Sequence, residues 1–166
     1  MTDKIRNVLI LCTGNSARSI LGEAIIAKAG AGRFRSFSAG SKPAGKVNPF
    51  ALELLAARGY DIAGYRSKSW DEFALDGAPA MDFVFTVCDS AAGEACPVWP
   101  GAPVRAHWGI PDPAGVAGSD DDKRAAFATA YDRLSRRVAA FLALDIDALD
   151  VDDLKRRLAD IGAMAD

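Results

Sequence analysis

The chain has 166 residues, half of them hydrophobic and a quarter charged, with a formal net charge of −2. This composition fits one domain with a sizeable core and excludes a disordered chain. Charges of both signs are interspersed and no apolar run approaches the roughly 18 residues of a membrane span, so neither nucleic acid nor a membrane is an expected partner.

The opening Met1-Thr2-Asp3-Lys4 leads straight into a short strand without a signal-peptide pattern, and three cysteines, an odd number, make a poor fixed disulfide framework. A reducing, cytoplasmic location is expected, with the cysteines serving chemistry rather than stapling. Strands are predicted over residues 7–11, 34–39, 83–87 and 104–107. A helix follows the first strand over about 16–29, with Leu21, Ala24, Ile25 and Lys28 on one face and Gly30 ending it. A second begins at the N-cap Asn48 and Pro49, turns Leu52, Leu55 and Ala56 inward, and leaves at Gly59. Residues 70–75 form a short helix before Gly77. A long helix over about 120–144 opens with an acidic turn and buries Phe127, Tyr131, Leu134, Val138 and Phe141, and Leu154, Leu158 and Ile161 mark the last one. The run Ser119-Asp120-Asp121-Asp122 reads as a solvated cap rather than a metal site. Strands separated by crossover-length segments favour an α/β fold with a parallel sheet and helices on both faces, undivided by linker or repeat from residue 1 to 166.

The segment Cys12-Thr13-Gly14-Asn15-Ser16-Ala17-Arg18-Ser19 follows the apolar run Val8-Leu9-Ile10-Leu11. A strand end, a loop bending at Gly14 and Asn15, and a helix starting near Arg18 direct backbone N–H groups into one concavity, which binds anions. That positive field, with a hydroxyl from Ser19, favours thiolate at Cys12, the nucleophilic form. The guanidinium of Arg18 holds two oxygens through paired donors and does not lose its charge. A cysteine ending an apolar strand is more often packing. Here the spacing to Arg18, returning a side chain over the thiol, and the order strand, loop, helix favour an oxyanion loop over residues 13–18.

Ligands of parallel sheets bind at the carboxyl ends of the strands. Cys12, Cys88, and His107 with Asp112 all follow strands there, and Cys96 shares with Cys88 the segment Cys88-Asp89-Ser90-Ala91-Ala92-Gly93-Glu94-Ala95-Cys96. An Asp-Pro pair alone marks a turn, but a carboxyl near an attacked oxyanion can protonate the leaving oxygen. Pro113 keeps Asp112 out of a helix.

Together, Leu11 to Ser19, His107-Trp108-Gly109-Ile110-Pro111 and Asp112-Pro113 resemble the low-molecular-weight tyrosine phosphatase superfamily, specifically its arsenate reductase branch. The resemblance implies a single-domain three-layer sandwich with a four-stranded parallel sheet. It implies Cys12 as nucleophile, Arg18 as oxyanion ligand, Ser19 as thiolate stabiliser, Asn15 as loop organiser and Asp112 as general acid. Thr13, Gly14, Asn15, Ser16, Ala17 and Arg18 then form the oxyanion loop, and Cys88 and Cys96 match two further redox cysteines. The implied reaction reduces arsenate to arsenite through an internal thiol–disulfide relay, without a cofactor or metal, regenerated by thioredoxin or another thiol donor. A monovalent cation near Asn15, Glu23 and Ser38 also falls within the likeness, without being assigned. The chain departs from the pattern at Ala17, where many members carry a further cysteine, at Ile20, where the phosphatases usually have proline, and at Ala114-Gly115, where animal phosphatases commonly have tyrosines. The gap between Cys88 and Cys96 is slightly longer than in the thioredoxin-linked reductases.

Three other readings compete. A phosphomonoesterase needs Cys12, Arg18 and Asp112 only and leaves Cys88 and Cys96 incidental or protective; their placement after a rim strand favours the reductase. A zinc site from Cys88, Cys96 and His107 has too few ligands and no short paired spacing. A non-catalytic oxyanion sensor needs no thiol.

Overall fold

The computed structural model describes residues 5–87 and 103–164. Its sheet comprises β1 (Arg6–Cys12), β2 (Phe34–Gly40), β3 (Phe83–Thr86) and β4 (Val104–His107), in the order β2-β1-β3-β4, with every neighbouring pair parallel. Alongside run α1 (Arg18–Ala29), α2 (Pro49–Ala57), α3 (Asp120–Leu142) and α4 (Val151–Gly162). The strands agree with the sequence expectation to within one residue at each end. A parallel strand buried on both faces reads as an unbroken apolar run, and β1 is such a strand.

Successive β1 side chains point to opposite faces and so divide the core. Val8, Ile10 and Cys12 join Phe83 and Phe85 of β3 beneath Ile20, Leu21 and Ala24 of α1, Phe141 of α3 and Leu158 of α4. Leu9, Leu11 and Val84 pack on the other face against Trp70, Phe73 and Met81. Among the described residues the helical layers are unequal: the α-helices contribute to the first face, whereas a 3₁₀ turn, Trp70–Phe73, packs on the second. It occupies the place of the short helix predicted over 70–75.

The helix ends follow their sequence signals. Asn48 Oδ1 accepts from the Phe50 N–H at 2.9 Å, and Gly59 beyond α2 has φ +88°, the left-handed region that a side chain disfavours. Ser119 and Asp122 form a reciprocal capping box, so the acidic run is a helix start. Three expectations need correction. The α1 helix begins at Arg18, the start expected from the loop, and not near Ser16, the start taken from the apolar face, because the residues before it are wound into the loop after β1. Lys28 is exposed, its ammonium lying 4.6 Å from the centre of the Tyr60 ring. Tyr131 is half-buried, its hydroxyl bonded to that of Tyr60 at 2.8 Å.

From β1 the chain passes to β2 on one side, while β3 flanks β1 on the other. Strand order therefore reverses beside β1, and a crevice is expected beyond the carboxyl ends at that point. The residue ending β1 is Cys12.

Candidate active site

Cys12 is 5% exposed, fixed as the last residue of a central strand, where it is registered opposite Gly40 of β2. The loop leaving it is tied back carbonyl by carbonyl. Thr13 O accepts from the Lys42 N–H at 3.0 Å, Gly14 O from the Ala44 N–H at 2.9 Å, and Ser16 O from the Asn48 N–H at 2.8 Å. Ser67 Oγ adds a bond to Gly14 O at 3.0 Å. No described peptide bond is cis, and in a trans peptide the C=O and the following N–H point in opposite directions. Outward carbonyls at 13, 14 and 16 thus turn the N–H groups of Gly14, Asn15 and Ala17 to the opposite side. A loop braced in this way offers donors to whatever sits within it.

Among the described residues Asn15 is the one non-glycine with positive φ, at 46°, a conformation asparagine tolerates better than most. It is fully buried, and its side chain is saturated. Nδ2 donates to Ser19 Oγ at 2.8 Å and Ser38 Oγ at 3.0 Å, and Oδ1 accepts from the Lys68 N–H at 2.9 Å. Gly40 closes the loop from beneath. A Cβ there would stand 2.3 Å from Thr13 O, so β2 can pass under the loop only as glycine.

Arg18 opens α1, its side chain 14% exposed. One terminal nitrogen donates to Ile110 O at 3.0 Å, and the other lies 3.6 Å from Asp112 Oδ2. Its Nε is buried with no hydrogen-bond acceptor among the described residues. A buried cationic donor without a partner costs roughly 1–3 kcal/mol or more, and an anion held in the loop would remove that cost.

The segment carrying Asp112 is positioned by Trp108. Its ring stacks on Phe85 with centres 3.9 Å apart, its indole N–H donates to Leu158 O at 3.1 Å, and its backbone N–H donates to Thr86 O at 2.7 Å. Beyond it Ile110 N–H reaches Val87 O at 3.2 Å. Asp112 is half-exposed and divides its carboxylate: Oδ1 caps the Pro113–Gly115 turn through the Ala114 N–H at 2.9 Å, and Oδ2 faces Arg18. His107 bonds through Nδ1 to Thr86 Oγ1 at 2.7 Å, joining β4 to β3.

The fold brings Cys12, the loop, Arg18, Ser19 and Asp112 together. Cys88 and Cys96 lie outside the described residues. Sequence reasoning passed over four contributors: Gly40, the brace at 42–48, the Ile110 carbonyl, and Lys68. Lys68 is 9% exposed and its ammonium stands 3.8 Å from Glu23 Oε1. Burial pulls the Lys68 ammonium below the ordinary lysine range and pushes the Glu23 carboxyl up, while each charge partly offsets the other's shift. Asn15, Glu23 and Ser38, the three residues linked with a monovalent cation, converge on this ammonium. A carboxylate in the apolar face Leu21, Ala24, Ile25 was the signal that could have disclosed the cluster.

Residues 7–156 match the family model of low molecular weight phosphotyrosine protein phosphatase. An arsenate reductase from Halalkalibacterium halodurans is 37% identical over 134 residues, covering 81% of this chain and 93% of its own length. Among solved structures, an arsenate reductase from Archaeoglobus fulgidus aligns at 32% identity and TM-score 0.58, covering 80% of this chain and 98% of that one. A thioredoxin-dependent arsenate reductase from Corynebacterium glutamicum shares the fold at 21% identity and TM-score 0.59, covering 86% of this chain and 64% of that one. The chain belongs to the low molecular weight phosphotyrosine protein phosphatase family, on its arsenate reductase branch.

Proposed function

We propose that the chain reduces arsenate to arsenite, with Cys12 as nucleophile, Arg18 and the loop amides as oxyanion cradle, Ser19 as thiolate stabiliser, Asp112 as general acid, and Cys88 and Cys96 as relay thiols. The buried Arg18 Nε, with no acceptor among the described residues, beside a loop with its carbonyls tied outward is the observation that carries the oxyanion site. The thiolate of Cys12 attacks arsenic, and Asp112 protonates the departing oxygen, which leaves as water. A cysteinyl–arsenate adduct results. Cys88 thiolate then attacks Cys12 Sγ, and the sulfur–arsenic bonding pair stays on arsenic, reducing it from the +5 to the +3 state. Arsenite leaves, and a Cys12–Cys88 disulfide remains. Attack of Cys96 on Cys88 moves the disulfide to the pair 88–96 and frees Cys12 as thiolate. An external thiol, by likeness to the thioredoxin-dependent relative, reduces that pair and completes the electron balance.

The sheet register supports the second step. Val87, which precedes Cys88 in the chain, donates its N–H to the carbonyl of Leu11, which precedes Cys12, at 2.9 Å. Phosphoester hydrolysis needs Cys12, Arg18 and Asp112 alone, and the family model favours it as a second activity of the same pocket.

A paired assay separates the two. Cys88→Ser is expected to abolish multiple-turnover arsenite formation while sparing hydrolysis of an aryl phosphate. Unchanged arsenate turnover would eliminate the Cys88 step. One arsenate equivalent should also lower the wild-type mass by two hydrogens, and thioredoxin, glutaredoxin with glutathione, and mycothiol systems compared side by side should identify the donor.

A further inference from the structure

Lys68 contacts the anion loop twice. Its backbone N–H donates to Asn15 Oδ1 at 2.9 Å, and its ammonium lies 3.5 Å from that oxygen. The ammonium sits in a cage of oxygens completed by Arg66 O at 3.0 Å, Ser38 Oγ at 3.4 Å and Glu23 Oε1 at 3.8 Å. Glu23 is itself held, accepting from the Ser38 hydroxyl. Lysine is almost never buried without such partners, and this one is buried directly behind the site.

The cage fixes the direction of an amide. Asn15 has one accepting and one donating end, and the two are exchanged by a half-turn of the side chain. A flip would bring NH₂ against both an N–H and an ammonium, so a positive charge at Oδ1 holds Nδ2 toward Ser19 and Ser38. Ser19 then accepts from Nδ2 at 2.8 Å, and its own proton is released toward another acceptor. Among the described residues, the other charges around this chain of contacts are Arg18 and Asp112 across the loop and Arg66, which forks onto Glu72 at 2.7 and 3.0 Å.

We propose that Lys68 is a positioning residue for the Cys12 thiolate: an internal cation that orients Asn15, and through it turns the Ser19 hydroxyl proton toward the sulfur. The inference rests on the reading of Cys12 as nucleophile, and it adds a cause for its ionisation that lies outside the loop. The through-space field of the Lys68–Glu23 pair largely cancels, so the effect runs through the oriented amide.

The test is the pH dependence of Cys12 alkylation by iodoacetamide in a Cys88→Ser/Cys96→Ser background, where Cys12 is the remaining thiol of three. Lys68→Met is expected to raise the apparent pKa of Cys12 by about one unit, read as a displaced alkylation profile with about tenfold slower alkylation at pH values below the parent pKa. Glu23→Gln/Lys68→Met removes both buried charges, leaves neither unpaired, and should fold even if the single variant does not. It must show the same displacement. An alkylation profile identical to that of the parent in the folded double variant would overturn the proposal, and would mean that the backbone N–H of residue 68 orients Asn15 unaided. Alkylation is read without arsenate, so this outcome is separate from failure of the reductase reading, which the Cys88→Ser turnover assay reports.

Discussion

At the scale of single residues, Arg18 is partly committed to the fold and, in the proposed mechanism, partly kept for a ligand. One nitrogen is tied to Ile110 O, another faces Asp112, and Nε is left with no acceptor among the described residues. Lysine would keep the charge and lose the fork. Arg18→Lys is therefore expected to lower kcat/KM for arsenate and for an aryl phosphate alike by about 10²–10³-fold, the usual loss on removing a preorganised oxyanion donor. Steady-state kinetics check this, and near-parental values would remove Arg18 from the cradle. The residues of this cradle were legible because they lie together in sequence and their types are chemically unusual at the end of an apolar strand. Gly40 and Lys68 were not. Nothing local distinguishes a glycine ending Ser38-Ala39-Gly40 from any strand terminus. Likewise Tyr65-Arg66-Ser67-Lys68-Ser69 reads as a solvated loop until tertiary structure closes Glu23, Ser38 and Asn15 around its ammonium.

At the scale of elements, β1 and β3 were legible because burial on both faces leaves a continuous apolar signal, and α2 and α3 because Asn48 and Ser119 carry recognisable caps. Of the two starts read for α1, the one near Arg18 holds and the one near Ser16 does not, since Ser16-Ala17 suits a first helical turn as well as a loop. Tyr131 was assigned to the core on periodicity alone. Instead it pairs with Tyr60 where α3 meets the end of α2, with Arg58 over its ring at 4.6 Å. Burial first, then the bond to Tyr131, holds the Tyr60 hydroxyl well above the usual tyrosine range. The folded chain thus retains a proton that the unfolded chain releases above its ordinary value of 10.0, and this contribution to stability is lost as pH rises past that value. Tyr60→Phe should flatten the alkaline fall in stability while costing about 0.5–1.5 kcal/mol near neutrality for the lost hydrogen bond. Urea unfolding at about pH 8 and about pH 11 measures both effects. An unchanged alkaline slope would show that the pair is not responsible.

At the scale of the whole molecule, the site stands where strand order reverses, and its parts come from β1, α1 and the segment after β4. An anion bound there touches groups far apart in sequence, so it should stabilise the native state globally. Phosphate at about a hundred times its Kd is expected to add about 2.7 kcal/mol to unfolding, read by denaturant titration, and Arg18→Ala should abolish the gain. An equal gain in that variant would locate the anion elsewhere. Cys12 itself belongs to a strand paired on both sides by β2 and β3 and packed within the core. Its backbone is anchored by that pairing, since displacing it means unzipping the middle of the sheet. In the proposed exchange of bonds between thiols, Cys12 reacts from a fixed station in the sheet.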